Sequence, residues 1–251
     1  MDHDRRFAVL IDADNVSEKY IKFILDELSN DGVATYKRIY GDWTNTRLAS
    51  WKGALLDNSV SPMQQYSYTT GKNATDAAMI IDAMDILYTG SVDGFCLVSS
   101  DSDFTRLAVR LREAGMYVIG MGEKKTPKPF IAACDKFTYL EVIAASPAAE
   151  DTSSDDSSVT THAKKKANAA ETVAMKREIK TIVKDISDDD GWAQLGMIGT
   201  ILTKRSPDFD VRNYGYSKLT PFIKSLGDFE VNGVRSDSSG AKVVYIRIKE
   251  A

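Results

Sequence analysis

Histidine and cysteine are both scarce in this chain, two of each among 251 residues. His3 and His162 fall by local composition in a frayed terminus and a linker, so Ser-His-Asp and Cys-His mechanisms lack a credible base. Cys96 and Cys134 stand beside apolar residues with no CxxC or Cys/His spacing, which argues against a thiolate zinc site and for two reduced core thiols. Long hydrophobic runs are missing too. Nothing approaches the roughly 18 uninterrupted apolar residues of a membrane span, and the opening MDHDRRFAVL has no signal-like apolar core. No membrane partner is expected, and a cytoplasmic location is the default. Positive charge is also short: the net charge is −4, without the basic excess common in nucleic-acid binders, although a local basic surface remains compatible with that balance. Carboxylate is what the chain has in quantity, with 36 Asp plus Glu, so any chemistry here has to run on acids.

The 43% hydrophobic content supports a real core. From Ser146 to about Glu171 the text changes to SPAAEDTSSDDSSVTTHAKKKANAAE, which holds almost no large apolar residue and cannot bury enough surface to fold alone. It divides the chain into a domain at 1–145, a flexible linker at 146–171 and a smaller domain at 172–251. As a flexible coil such a linker spans about 25–30 Å.

In the first domain short apolar runs alternate with amphipathic stretches: FAVLI, SEKYIKFILDELSN, ATYKRIYG, a helical stretch near 46–58, MQQYSY, TDAAMIIDAMDILYTG, GFCLVSS, DFTRLAVRLREAG, MYVIGMG, a short helical piece near Phe130, and KFTYLE. This alternation predicts an α/β fold, a mostly parallel sheet flanked by helices. In the second domain Val173, Ile179, Ile182, Val183 and Ile186 form an apolar stripe at helical spacing. WAQLGMIGTILTKRSPDF and YSKLTPFIKSLGDFEV follow, then the period-two strand AKVVYIRIKE; three short helices and a terminal hairpin predict a small winged-helix-like domain.

Ligands of open parallel sheets bind beyond the carboxyl ends of the strands. There the acids collect: Asp12, Asp14 and Asn15 after FAVLI, Asp101 and Asp103 after GFCLVSS, and Asp76 near the start of a helix. Like charges in one crevice destabilise it unless a cation offsets them, and oxygen donors without His or Cys suit Mg2+ or Mn2+. Asp12, Asp76, Asp101 and Asp103 are the expected ligands, directly or through water. Asn15 is expected to orient substrate or a ligand carboxylate, and Ser99 and Ser100 to donate to a phosphate. Lys72 and the loop residues Lys124, Lys125, Thr126 and Lys128 are candidate phosphate contacts. Simpler roles stand beside these. Asp14 or Asn15 could cap a helix near Ser17, Asp101 or Asp103 could cap the helix at Phe104, and the lysines could be solvated. Asp82 and Asp85, turned about 120° and 180° from Asp76 around their helix, are expected to be solvated or peripheral.

VLIDADN, GKNATDAAMIIDAMDIL, VSSDSDFTRLAVRLREAGMYVIGMG and TPKPFIAACDKFTYLE together resemble the NYN family, which is similar in fold to PIN nuclease domains. The four blocks occur in order over about residues 6 to 143. The resemblance implies a metal-dependent endoribonuclease that cuts single-stranded RNA, with Asp12, Asn15, Asp76, Asp101 and Asp103 in the family's acidic pocket. GWAQLGMIGTILTKRSPDFDVRNYGYSKLTPFIKSLGDFEV resembles the OST-HTH, or LOTUS, domain, which implies binding of RNA or of a protein partner. From Thr160 to Ala251 there are 16 Lys plus Arg against 12 Asp plus Glu. Lys204, Arg205, Arg212, Tyr214, Tyr216 and Lys218 gather near one helix-turn-helix junction, where rings could stack on bases or pack the core. Two rival readings remain at this point. One is a non-catalytic RNA-binding protein. The other is a haloacid-dehalogenase-like phosphatase, in which DADNV supplies Asp12 as nucleophile and Asp14 as general acid.

Overall fold

The run Phe7 to Ile11 is fully buried because β1 (Arg5–Asp12) lies inside a sheet covered on both faces. The computed structural model describes residues 4–66, 74–145, 169–235 and 242–249. Contacts divide the chain into two units, Met1–Ser146 and Pro147–Ala251. Among the described residues of the first, β1 is followed by α1 (Ile21–Leu28), β2 (Gly32–Gly41), α2 (Trp51–Asn58), β3 (Ser61–Gln64), α3 (Ala74–Thr89) and β4 (Gly94–Val98). Then come α4 (Thr105–Glu113), β5 (Tyr117–Gly122), α5 (Lys128–Ala133), β6 (Lys136–Tyr139) and α6 (Leu140–Ala145). The strands form one parallel six-stranded sheet in the order β3-β2-β1-β4-β5-β6, so the α/β expectation holds. β3 begins two residues earlier than the run MQQYSY suggested, and residues 67–73, Lys72 among them, lie outside the described part.

Strand order reverses between β1 and β4: the chain builds outward through β2 and β3, returns, and builds the other way. That reversal opens a crevice at the carboxyl ends of β1 and β4. Period-two alternation then assigns faces. Phe7, Val9 and Ile11 pack with α1, α2 and α6 through residues such as Ile24, Trp51 and Leu140. Ala8 and Leu10 point to the opposite face and pack with Met79 and Ala83 of α3, Leu107 and Leu111 of α4, and Phe130 of α5. Asp12, two residues beyond Leu10, falls on this second face.

The smaller unit contains α7 (Ala169–Ile186), β7 (Ala193–Gln194), α8 (Leu195–Arg205), α9 (Leu219–Ser225), β8 (Phe229–Arg235) and β9 (Lys242–Ile248). Its antiparallel sheet runs β7-β9-β8, and its core joins Ile179, Ile182, Val183, Ile198, Leu202, Phe222 and Ile246. The helices and terminal hairpin match the sequence pattern, with two corrections. The two-residue β7, too short to carry a period, pairs with β9. Val173 is 49% exposed, and Met175 takes its expected place in the core. Of the expected linker, residues 146–168 lie outside the described part, and 169–171 already belong to α7.

Candidate functional site

Asp12 closes β1 with no exposed surface. A bare buried carboxylate is costly, and this one is met by three donors. The Asp14 N–H donates to Oδ1 at 3.0 Å, while the Asn15 carboxamide and the Ser99 hydroxyl each donate to Oδ2 at 2.7 Å. Ser99 reaches it because β1 and β4 pair up to Ile11 and Val98, and Ser99 shares the face of Phe95 and Leu97. Burial nevertheless holds the Asp12 carboxyl above the ordinary aspartate range, against the three hydrogen bonds and helped by the nearby Asp14 charge.

Three further acids converge beside it. Oxygens of Asp76, Asp101 and Asp103 lie within 4.8 Å of one another. Asp76 stands in the first turn of α3, which packs over β1 and β2. Asp101 precedes a single 3-10 turn, Ser102–Phe104; its side chain accepts the Asp103 N–H at 2.9 Å, and its own N–H donates to Ser99 Oγ at 3.1 Å. The cap role foreseen for Asp101 is therefore real, and it leaves a second carboxylate oxygen for the crevice. Asp76 is pushed up to about 6, by burial first and then by the charges of Asp12, Asp101, Asp103 and Asp14. That list of causes is the electrostatic signature of a shared acidic crevice.

Several expectations change in detail. Asp12 lies outside the set of three whose oxygens converge within 4.8 Å; its Oδ1 accepts the Asp14 N–H, and its Oδ2 accepts from Asn15 and Ser99. Ser99 spends its hydroxyl proton on Asp12. Ser100 Oγ accepts the Glu123 N–H at 2.8 Å and keeps its own proton to give. Thr126 is buried, and its hydroxyl donates to the Glu123 carbonyl at 2.5 Å, which closes the loop on itself. Lys125 pairs with Glu123 at 2.8 Å, and the Lys124 N–H donates to the Glu141 carboxylate at 3.0 Å, with Lys124 itself exposed. Lys128 opens α5 on the exposed side. Asn15 serves Asp12 and does not cap the turn at Glu18–Tyr20, whose preceding Ser17 makes no side-chain cap bond.

In the smaller unit, Tyr214 and Tyr216 pack on Phe222 with ring centroids 4.7 and 5.6 Å apart, and burial pushes the Tyr214 hydroxyl up to about 12. Both partly buried rings therefore take part in core packing. Arg212 pairs with Asp210 at 2.6 Å, and Arg205 lies 3.5 Å from Asp185. Lys204 and Lys218 are exposed.

Sequence reasoning missed one cluster outright. Asp82, expected to be solvated or peripheral, stands away from the acidic set but is largely covered and accepts hydrogen bonds from the Arg38 guanidinium and the Tyr40 hydroxyl of β2. Partners 44 and 42 residues away leave no local signal. Asp85 is exposed, as expected. The phosphatase reading fails on geometry, because Asp12, its nucleophile, is fully buried with both oxygens engaged.

The NYN domain family model matches residues 6–141, and the OST-HTH/LOTUS domain model matches residues 172–239. No curated protein matches the chain. Among solved structures it is similar to a Vibrio parahaemolyticus protein of unknown function, at 21% identity over 55% of this chain and 94% of that one, TM-score 0.47. An uncharacterized protein of Nitrosomonas europaea is 31% identical over 41% of this chain and 94% of its own, TM-score 0.30. MurG of Acinetobacter baumannii is 11% identical over 69% of this chain and 54% of its own, TM-score 0.37.

Proposed function

This chain belongs to the NYN domain family and carries an OST-HTH/LOTUS domain, and on that premise we propose that it is a metal-dependent endoribonuclease acting on single-stranded RNA. One observation carries the reading: Asp76, Asp101 and Asp103, from two separate segments, bring oxygens within 4.8 Å of one another at the crevice where strand order reverses. A phosphodiester would be repelled from such a site unless a cation offset the acids.

The donor set fits a hard divalent ion, Mg2+ or Mn2+, since it offers carboxylate oxygens and no His or Cys. Bound by Asp76, Asp101 and Asp103, such an ion would supply a water of lowered pKa and offset charge on the phosphodiester oxygens. Asp12 adds a fixed negative charge behind them, and Asn15 and Ser99 hold that charge in place. The Ser100 hydroxyl and the ammonium groups of Lys124 and Lys128 are the proposed phosphate contacts on the β5 side; Lys72, outside the described residues, is a further proposed contact. Lys204, Arg205 and Lys218 are the proposed RNA contacts of the smaller domain, with Tyr214 and Tyr216 shaping the surface beneath. Cys96 and Cys134 are free and buried, which suits a reducing, cytoplasmic setting.

The test is incubation of the whole protein with labelled single-stranded RNA and DNA in Mn2+, in Mg2+ and in chelator, beside Asp101→Asn. Cleavage of RNA that requires metal, and its loss in a variant that still binds RNA, is the expected result. Cleavage in chelator would refute the mechanism. Binding without cutting in every condition would favour a purely RNA-binding protein.

A further inference from the structure

We infer that Tyr40 and Asp82, with Arg38, are positioning residues for the acidic site: they set where Asp76 stands relative to Asp12. The inference rests on the metal-dependent reading above. Tyr40 is 1% exposed and does two jobs at once. It lies opposite Asp12 in the β1–β2 register, and its carbonyl accepts the Ala13 N–H at 3.0 Å, fixing the chain that leaves Asp12. Its hydroxyl donates to Asp82 on α3, the helix that carries Asp76. One residue therefore ties the acidic end of β1, through its backbone carbonyl, to the helix bearing the neighbouring acid, through its hydroxyl. Arg38, two residues earlier on the same face of β2, donates to the other Asp82 oxygen and stacks over the Tyr36 ring at 5.1 Å.

α3 needs such a tie. A helix with a narrow apolar stripe takes its rotation and height from the boundary between apolar and polar faces. α3 has no sharp boundary: Met79, Ala83 and Ile86 are buried, yet Ile81 and Tyr88 are 63% and 75% exposed. Apolar packing alone would hold it against the sheet without choosing a register, and a slip of one residue moves Asp76 by about 1.5 Å. A ligand set tolerates displacements of about 0.5 Å. Directional bonds to Asp82, six residues and so about 9 Å along the helix from Asp76, supply the missing choice. Losing them also leaves polar groups buried and unpaired, which makes the alternative registers worse. Burial works against the Arg38 charge, but Asp82 outweighs it and keeps the guanidinium protonated at any working pH.

The experiment uses the full chain, metal-free, as wild type, Tyr40→Phe, Asp82→Asn and Ile143→Val, the last a control in the core on the opposite face. Mn2+ binding is followed by loss of the free-ion electron paramagnetic resonance signal, and kcat and KM are measured on single-stranded RNA with thermal midpoints alongside. Tyr40→Phe keeps the buried ring and should weaken Mn2+ binding and lower kcat by about tenfold each, the range found when groups behind a metal ligand are removed, with KM for RNA within about twofold. Asp82→Asn should move the same quantities in the same direction, and it serves if Tyr40→Phe does not fold. Ile143→Val should lower the midpoint alone. If the Tyr40 and Asp82 variants behave like Ile143→Val, losing stability while the folded protein binds Mn2+ and cuts as wild type does, the positioning role is overturned and the nuclease reading stands. If wild type itself takes up no Mn2+, the metal reading falls and this inference falls with it.

Discussion

Asp76→Asn should stabilise the metal-free protein. In the fold Asp76 is pushed from 3.8 to about 6, by burial and by the charges of Asp12, Asp101, Asp103 and Asp14. A displacement of that size corresponds to about 3 kcal/mol at full strength. Asp76 is only partly buried, so solvent screening brings the expected gain at pH 7 to about 1–2 kcal/mol. For a domain of this size that raises the thermal midpoint by about 3–8 °C. The sign follows from proton uptake. Between 3.8 and about 6 the folded state holds a proton that the unfolded state has released, so wild-type stability falls as pH rises through this window and levels off above it. The variant lacks the step, so its advantage should be full at pH 7 and vanish near pH 4. Thermal unfolding in chelator at both pH values measures it. A variant no more stable than wild type at pH 7, or a gain that persists unchanged at pH 4, would refute the charge argument. Adding Mn2+ at a hundred times its dissociation constant should stabilise wild type by about 2.7 kcal/mol and the variant far less, reversing their order.

Ser99→Ala removes a donor to the buried Asp12 carboxylate, which burial already holds above its usual range. The Asp12 carboxyl should rise further, the acid limb of the cleavage profile should move to higher pH, and stability at neutral pH should drop by about 1–3 kcal/mol; an unmoved profile would contradict this. Gly122→Ala should cost about 1–3 kcal/mol in denaturant titrations, because the new Cβ would meet the Ser99 carbonyl oxygen and Thr126 Oγ1 at 2.6 Å each. Phe222→Ala should cost the smaller domain about 3–5 kcal/mol, enough to unfold a marginal core, since Phe209, Tyr214 and Tyr216 all rest on that ring. Fluorescence of Trp192, read in a background with Trp43 and Trp51 both replaced by Phe, reports it, and a native spectrum at 37 °C would count against the packing described.

What could be read from residue order, and what could not, divides along a physical line. FAVLI followed by two acids is a local pattern, and so is SSDSDF before an amphipathic helix; each marks a strand end, and the strand-end rule for parallel sheets then says the acids belong together. The side of the sheet is local as well: alternation from Ala8 through Leu10 to Asp12, and from Phe95 through Leu97 to Ser99, puts Asp12 and Ser99 on one face. That β1 and β4 are neighbours is not local, since it depends on strand order, so Ser99 reads from sequence as a phosphate donor and turns out to hold Asp12. Asp82 shows the same limit more sharply. Helical geometry correctly turns it away from Asp76, but a rotation about the helix axis says nothing of what the sheet offers on the other side. There β2 offers Arg38 and Tyr40. Groups that make the chemistry lie at the ends of regular elements, where local sequence changes character, whereas groups that hold those ends in place lie within the elements and look like ordinary helix and strand. The second kind needs coordinates, and in this chain it includes Tyr40, whose carbonyl holds the end of β1 and whose hydroxyl holds α3.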